Sequence, residues 1–159
     1  MGIFDSMNFN LEEDYKPEAL IPDGAKVSGT LIEIKVSEKA YCINFNVCLN
    51  NNDGMVKADG ETPVDGTHLA KTVWLPKPGD EKVMTPKGKE TKWQWKVNNL
   101  AETLRKLDIQ ANTPEEIMEG IENQEWIDRD VICTVVVKEY KGKVTNEIND
   151  MMVDVQEPF

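Results

Sequence analysis

The sequence predicts a mainly β domain in which a helix separates the third of five strands from the fourth. Three observations carry this reading. Residues 41–49 alternate apolar and polar without a break, residues 130–140 are a β-branched run, and residues 93–107 between them switch to a helical period. A chain of 159 residues, 40% hydrophobic and 30% charged, suits one domain with a packed core.

Residues 1–24 read as an N-terminal arm. Ile3, Phe4 and Phe9 are interspersed with acids, and Pro17 and Pro22 break any helix, so the arm is expected to lay a few side chains on the domain. The domain proper is expected over 25–153. Ala25 to Val36 suits a long strand whose buried face changes near Gly29. Val27 and Leu31 share one parity, while Ile32, Ile34 and Val36 take the other, which predicts a bulge or a sharp bend. After the turn Ser37-Glu38-Lys39, the residues Tyr41, Ile43, Phe45, Val47 and Leu49 fall on one face. Cys42, Asn44, Asn46 and Cys48 fall on the other, as in a half-buried strand.

Residues 50–67 are a polar, turn-rich loop. Leu69 to Leu75 is the third strand, with Leu69, Val73 and Leu75 inward and Ala70, Thr72 and Trp74 outward. Lys71 has the inward parity and is expected at a frayed start. Trp93, Val97, Leu100, Leu104 and Leu107 then recur at helical spacing, which places Trp93 in the core and Trp95 on the opposite face. Thr113-Pro114-Glu115-Glu116 opens a second short helix, with Thr as cap and Pro at the first position. Trp126 follows an acidic run and is expected to plug the core.

In the fourth strand, Asp130 to Tyr140, Val131, Cys133, Val135 and Val137 share one face. Thr134, Val136, Lys138 and Tyr140 share the other. Lys141-Gly142-Lys143 is a tight turn, and Val144 begins the last strand. Residues 154–159 form a short acidic C-terminal tail. Five strands with a helix between the third and fourth is the layout of the oligonucleotide-binding (OB) barrel, and a bent first strand is what closing so small a barrel requires. A split β-sandwich would give the same order of elements.

The charge is uneven. Residues 71–96 hold seven lysines against three acids, a net +4 inside a chain of net −11, so the remainder carries −15. Three of the four tryptophans, Trp74, Trp93 and Trp95, fall in this window. Lysine neutralises phosphate and an indole face stacks an unpaired base, so the pattern suits a single-stranded polyanion. The alternative is a solvated lysine loop with its tryptophans in the core. In an OB barrel the second and third strands form the binding face, flanked by the loops after the first and fourth. The candidate nucleic-acid-binding residues are therefore Lys39, Asn44, Asn46, Thr72, Trp74, Lys138, Tyr140, Lys141 and Lys143. The lysine window adds Lys71, Lys77, Lys82, Lys87, Lys89, Lys92 and Trp95.

Catalytic signals are weak. His68 is the only histidine, and Cys42, Cys48 and Cys133 have no metal-ligand spacing. There is no GxxxxGK[ST] loop, and carboxylate pairs such as Glu12-Glu13 lie on solvated segments. No catalytic residue, metal or cofactor is expected. An odd cysteine count fits a reducing compartment, no apolar run reaches the roughly 18 residues of a membrane span, and no signal-peptide core follows Met1. These features lead us to expect a cytoplasmic protein with no membrane partner.

Three stretches carry a resemblance. Leu20-Ile21-Pro22-Asp23-Gly24 leads into the first long strand, Asn98-Asn99-Leu100-Ala101-Glu102-Thr103-Leu104-Arg105-Lys106-Leu107 lies in the helix, and Tyr140-Lys141-Gly142-Lys143 splits the last strand pair. In these the chain resembles the phage-encoded single-stranded-DNA-binding proteins of replication and recombination modules. The resemblance implies an OB-like fold that binds single strands without strict sequence preference, in a host cytoplasm. The end, Glu157-Pro158-Phe159, is similar to the acidic Pro-Phe tip of bacterial single-strand binders, which implies docking of replication or recombination proteins. It departs from that tip in having few acids and no long linker. Two other readings compete: an acidic interaction protein that mimics DNA and inhibits a host factor, and a small nuclease.

Overall fold

The computed structural model describes residues 2–15 and 17–154. Its elements in chain order are α1 (Leu11–Asp14), β1 (Ala25–Ser37), β2 (Cys42–Leu49), β3 (His68–Trp74), α2 (Lys92–Lys106), α3 (Pro114–Glu122), β4 (Asp130–Tyr140) and β5 (Lys143–Val153). The strands form one antiparallel sheet in the order β3-β2-β1-β4-β5. The mainly β expectation and its element order hold. The sheet is open, with β3 and β5 as its edges.

Curvature is built into β1. Its first half, Ala25–Thr30, pairs with β4, and its second half, Gly29–Ser37, pairs with β2. The two pairings overlap at Gly29 and Thr30. A Cβ on Gly29 would lie 2.5 Å from Val47 Cγ1 and 2.9 Å from the Cys48 carbonyl oxygen, so only glycine lets β2 cross this closely. The change of buried face expected near Gly29 occurs slightly later. Gly29 and Leu31 are still buried, and the register slips between Leu31 and Glu33, leaving Ile32 exposed on a bulge. This coiling brings β3 and β5 beside one another, and α2 packs against both.

The inward faces meet in one core: Val27 and Leu31 of β1, Ile43, Phe45, Val47 and Leu49 of β2, Val131, Cys133 and Val135 of β4, and Ile148 and Met151 of β5. Burial pushes the Cys133 thiol up to about 12, so it stays a neutral core side chain. Trp126 plugs the core as expected and packs on Gly120 of α3, where any Cβ would clash with the indole. Thr113 caps α3 by accepting from the Glu116 amide at 3.2 Å. The polar loop after β2 contributes more than expected. Asn52 is buried and donates to the carbonyls of Ser28 and Asn50, which pins the loop and lets Val64 enter the core.

The Leu20–Gly24 stretch is an anchor. Ile21 is fully buried, and its amide and carbonyl are both held by the Asn146 side chain, at 2.8 and 2.9 Å. Asp23 accepts the Val137 amide at 2.8 Å. Upstream, the arm departs from expectation: Ile3, Phe4 and Phe9 are exposed rather than laid on the domain. Short local turns, Ile3–Ser6 and the Asn10-capped α1, satisfy its backbone without the core.

Trp93 is a second departure. It is 40% exposed, because it stands in the first turn of α2, before the buried stripe of Lys96, Leu100, Thr103, Leu104 and Leu107 begins. Trp93→Ala is therefore expected to cost about 1–2 kcal/mol, instead of the roughly 3–5 kcal/mol of a buried tryptophan. Urea denaturation checks this value.

Lys96 takes the inward position because Asp80 meets it there, Nζ to Oδ2 at 2.8 Å, with both side chains buried. The Lys96 hydrogen bond and the Lys77 amide hold the Asp80 carboxyl below its ordinary 3.8. A depressed carboxylate stabilises the fold above its unfolded value and loses that contribution as pH falls through its folded value. Asp80→Asn is thus expected to lower the melting temperature at neutral pH. The gap from wild type should close below pH 3.8, where the native carboxyl protonates. A gap independent of pH would contradict this.

Candidate nucleic-acid interface

The outward face of β2 and β3 is polar where their inward face is apolar. Asn44 pairs with Thr72 and Cys42 with Trp74 across the ladder. Thr72 Oγ1 donates to Asn44 Oδ1 at 2.7 Å, which fixes both side chains beside the exposed Trp74. Asn46 donates to Glu33 at 3.2 Å, and with Asn44 it lines a shallow hollow that also holds Lys35. Lys35 was missed by the sequence reading, although its alternation with Ile34 and Val36 marks it as outward.

Between the edges β3 and β5 lies an open groove of about 640 Å³. It gathers six of the expected residues from three elements: Lys71, Thr72 and Trp74 of β3, Trp95 of α2, and Lys138 and Tyr140 of β4. Trp74 and Trp95 are 46% and 44% exposed, so each offers ring surface to a ligand. Asn99 and Asn149 add amides that the sequence reading did not single out, and Asn146 lines the groove with its amide committed to Ile21. The position of Asn99 one turn after Trp95 was the signal available; Asn146 and Asn149 have opposite parity in β5, and an irregularity opposite Asn149 interrupts the ladder.

Two features of the groove oppose a simple basic cleft. Glu147 lines it and accepts the Tyr140 hydroxyl, which raises that phenol above its ordinary 10.0. Lys71 is half-buried in the middle of β3, opposite Phe45, and not at a frayed start. Its ammonium donates to the Asn149 carbonyl at 2.7 Å across the β3–β5 seam, and burial lowers its pKa. An inward lysine is tolerated there because the open edge of β5 supplies the acceptor.

A second hollow, about 720 Å³, lies within the lysine-rich loop and is lined by Val83, Met84, Pro86, Lys87, Lys89, Lys92 and again Trp95. Lys141 and Lys143 sit exposed on the β4–β5 hairpin next to Tyr140, with Lys141 and Gly142 both at positive φ in the two-residue turn. Lys39, Lys77 and Lys82 are exposed but line none of these hollows. Glu157, Pro158 and Phe159 lie outside the described residues.

Among the described residues there is no group of three or more His, Cys, Asp or Glu side chains placed to hold a metal ion. His68 is exposed on the edge strand β3. No helix among the described residues is long and apolar enough to cross a membrane. Comparison with protein-family models and with curated proteins finds no match for this chain.

Proposed function

We propose that this chain is a non-catalytic binder of single-stranded DNA, built on an OB-type barrel, that covers and protects strands during phage-type replication or recombination. The observation that carries the reading is the convergence of Trp74, Trp95, Tyr140, Lys138 and Thr72 on one open groove. The coiled β1 shared by two strand pairings, the β3–β5 seam and a helix between β3 and β4 support the OB assignment, since that fold is a partly open five-stranded barrel. Exposed indoles supply sequence-tolerant stacking, and the lysines supply phosphate neutralisation on an otherwise acidic molecule. We place the protein in the host cytoplasm, with Glu157, Pro158 and Phe159 as a docking tip for replication or recombination proteins.

The test is an anisotropy titration of labelled oligothymidylate across a salt series. Log K is expected to fall linearly with log salt, by roughly 0.7 for each phosphate contacted. Absence of binding at low salt would overturn the reading and favour an acidic DNA mimic. Metal-dependent degradation of the same oligonucleotide would replace it with a nuclease.

A further inference from the structure

The groove and the loop hollow are chemically unlike, and Trp95 is a wall of both. The groove offers amides and hydroxyls that can meet base edges, from Thr72, Asn99, Tyr140 and Asn149. The hollow offers an apolar floor from Val83, Met84 and Pro86 and a rim of three lysines, Lys87, Lys89 and Lys92, against one acid, Glu90. Among the described residues, none of Lys87, Lys89 and Lys92 is in an ion pair. The loop around them is folded in advance. The Lys92 amide donates to the Val83 carbonyl at 2.6 Å, the Thr85 amide to Glu90 at 2.9 Å, and Met84 bridges to Thr91. The buried Asp80–Lys96 pair fastens its base to α2.

Resting on the reading above, we infer that the binding track has two parts that meet at Trp95: a base-contacting groove and, beyond it, an electrostatic clamp that takes only the phosphates of a longer strand. An ordered rim of unpaired cations over apolar surface fits a polyanion whose bases are already engaged next door. The hollow has few neutral polar side chains with which to discriminate among bases. Short oligonucleotides therefore occupy the groove alone, and longer ones extend past Trp95 and gain phosphate contacts.

Oligothymidylates of about 4 to about 16 nucleotides, the range of single OB-type sites, test this with wild type and a Lys87→Ala/Lys89→Ala variant. Lys92 is left in place because it acts on Asp80. Wild type is expected to show a step in affinity with length, accompanied by a steeper salt slope. In the variant the slope on long strands falls by about 1.4, two phosphates' worth, and short strands bind as in wild type. An equal loss on short and long strands, or no loss on either, would overturn the two-part track while leaving single-strand binding intact. Failure of every oligonucleotide to bind would overturn both.

Discussion

Replacing Trp74 and Trp95 together with alanine is expected to lower oligothymidylate affinity at least about 30-fold. Stacking of a base on an aromatic ring contributes about 1–3 kcal/mol, and two lost platforms remove at least about 2 kcal/mol. Both indoles are close to half exposed, at 46% and 44%, so their truncation removes ligand surface more than core. Thermal unfolding of the double variant should stay close to wild type, and the single variants should each show part of the loss. Normal affinity in the double variant, with the fold intact, would place the binding surface elsewhere.

The largest expected effect on stability is at Phe45. This ring is 1% exposed at the centre of β2, in register with Ile34 of β1 on one side and Lys71 of β3 on the other. Phe45→Ala is expected to cost about 3–5 kcal/mol in urea denaturation, since the sheet curls around the ring and collapses only partly into the space left. That is a large share of the roughly 5–15 kcal/mol that holds a domain of this kind together. Phe45 also lies beside the strand that carries Thr72 and Trp74, so the variant should weaken DNA binding in proportion to its unfolding. A cost below about 1 kcal/mol would contradict an enclosed core at this point.

Local pattern was enough where one face of an element decides its burial. The alternation of β2 and β4, the Thr-Pro cap of α3 and the parity change in β1 are all visible in the residues, because each follows from period 2 or from a terminus. The outward parity of Thr72, Trp74, Lys138 and Tyr140 likewise placed them on the groove. Pattern failed where a partner distant in sequence reverses the cost of burial. Lys96 is buried because Asp80 meets it, and Lys71 is tolerated inside because Asn149 accepts its proton donor. Neither pairing has a periodic signal. Trp93 matched the core stripe in its spacing from Val97 and Leu100, but it stands in the first turn of α2, before the buried part of that stripe begins at Lys96. Val64 escaped notice in a polar loop because the hydrogen bonds of Asn52 and Asp65, which make that loop part of the wall, carry no hydrophobic pattern. The arm was misjudged only in its first part: Ile21 packs into the core, whereas Ile3, Phe4 and Phe9 are exposed.

The most direct measurement is tryptophan fluorescence during titration with oligothymidylate at low salt, made on wild type, on Trp93→Phe and on Trp74→Phe/Trp95→Phe. The account predicts quenching that saturates in wild type, reverses when salt is added, persists in Trp93→Phe and disappears in the double variant. A flat wild-type titration, or quenching that survives in Trp74→Phe/Trp95→Phe, would contradict it.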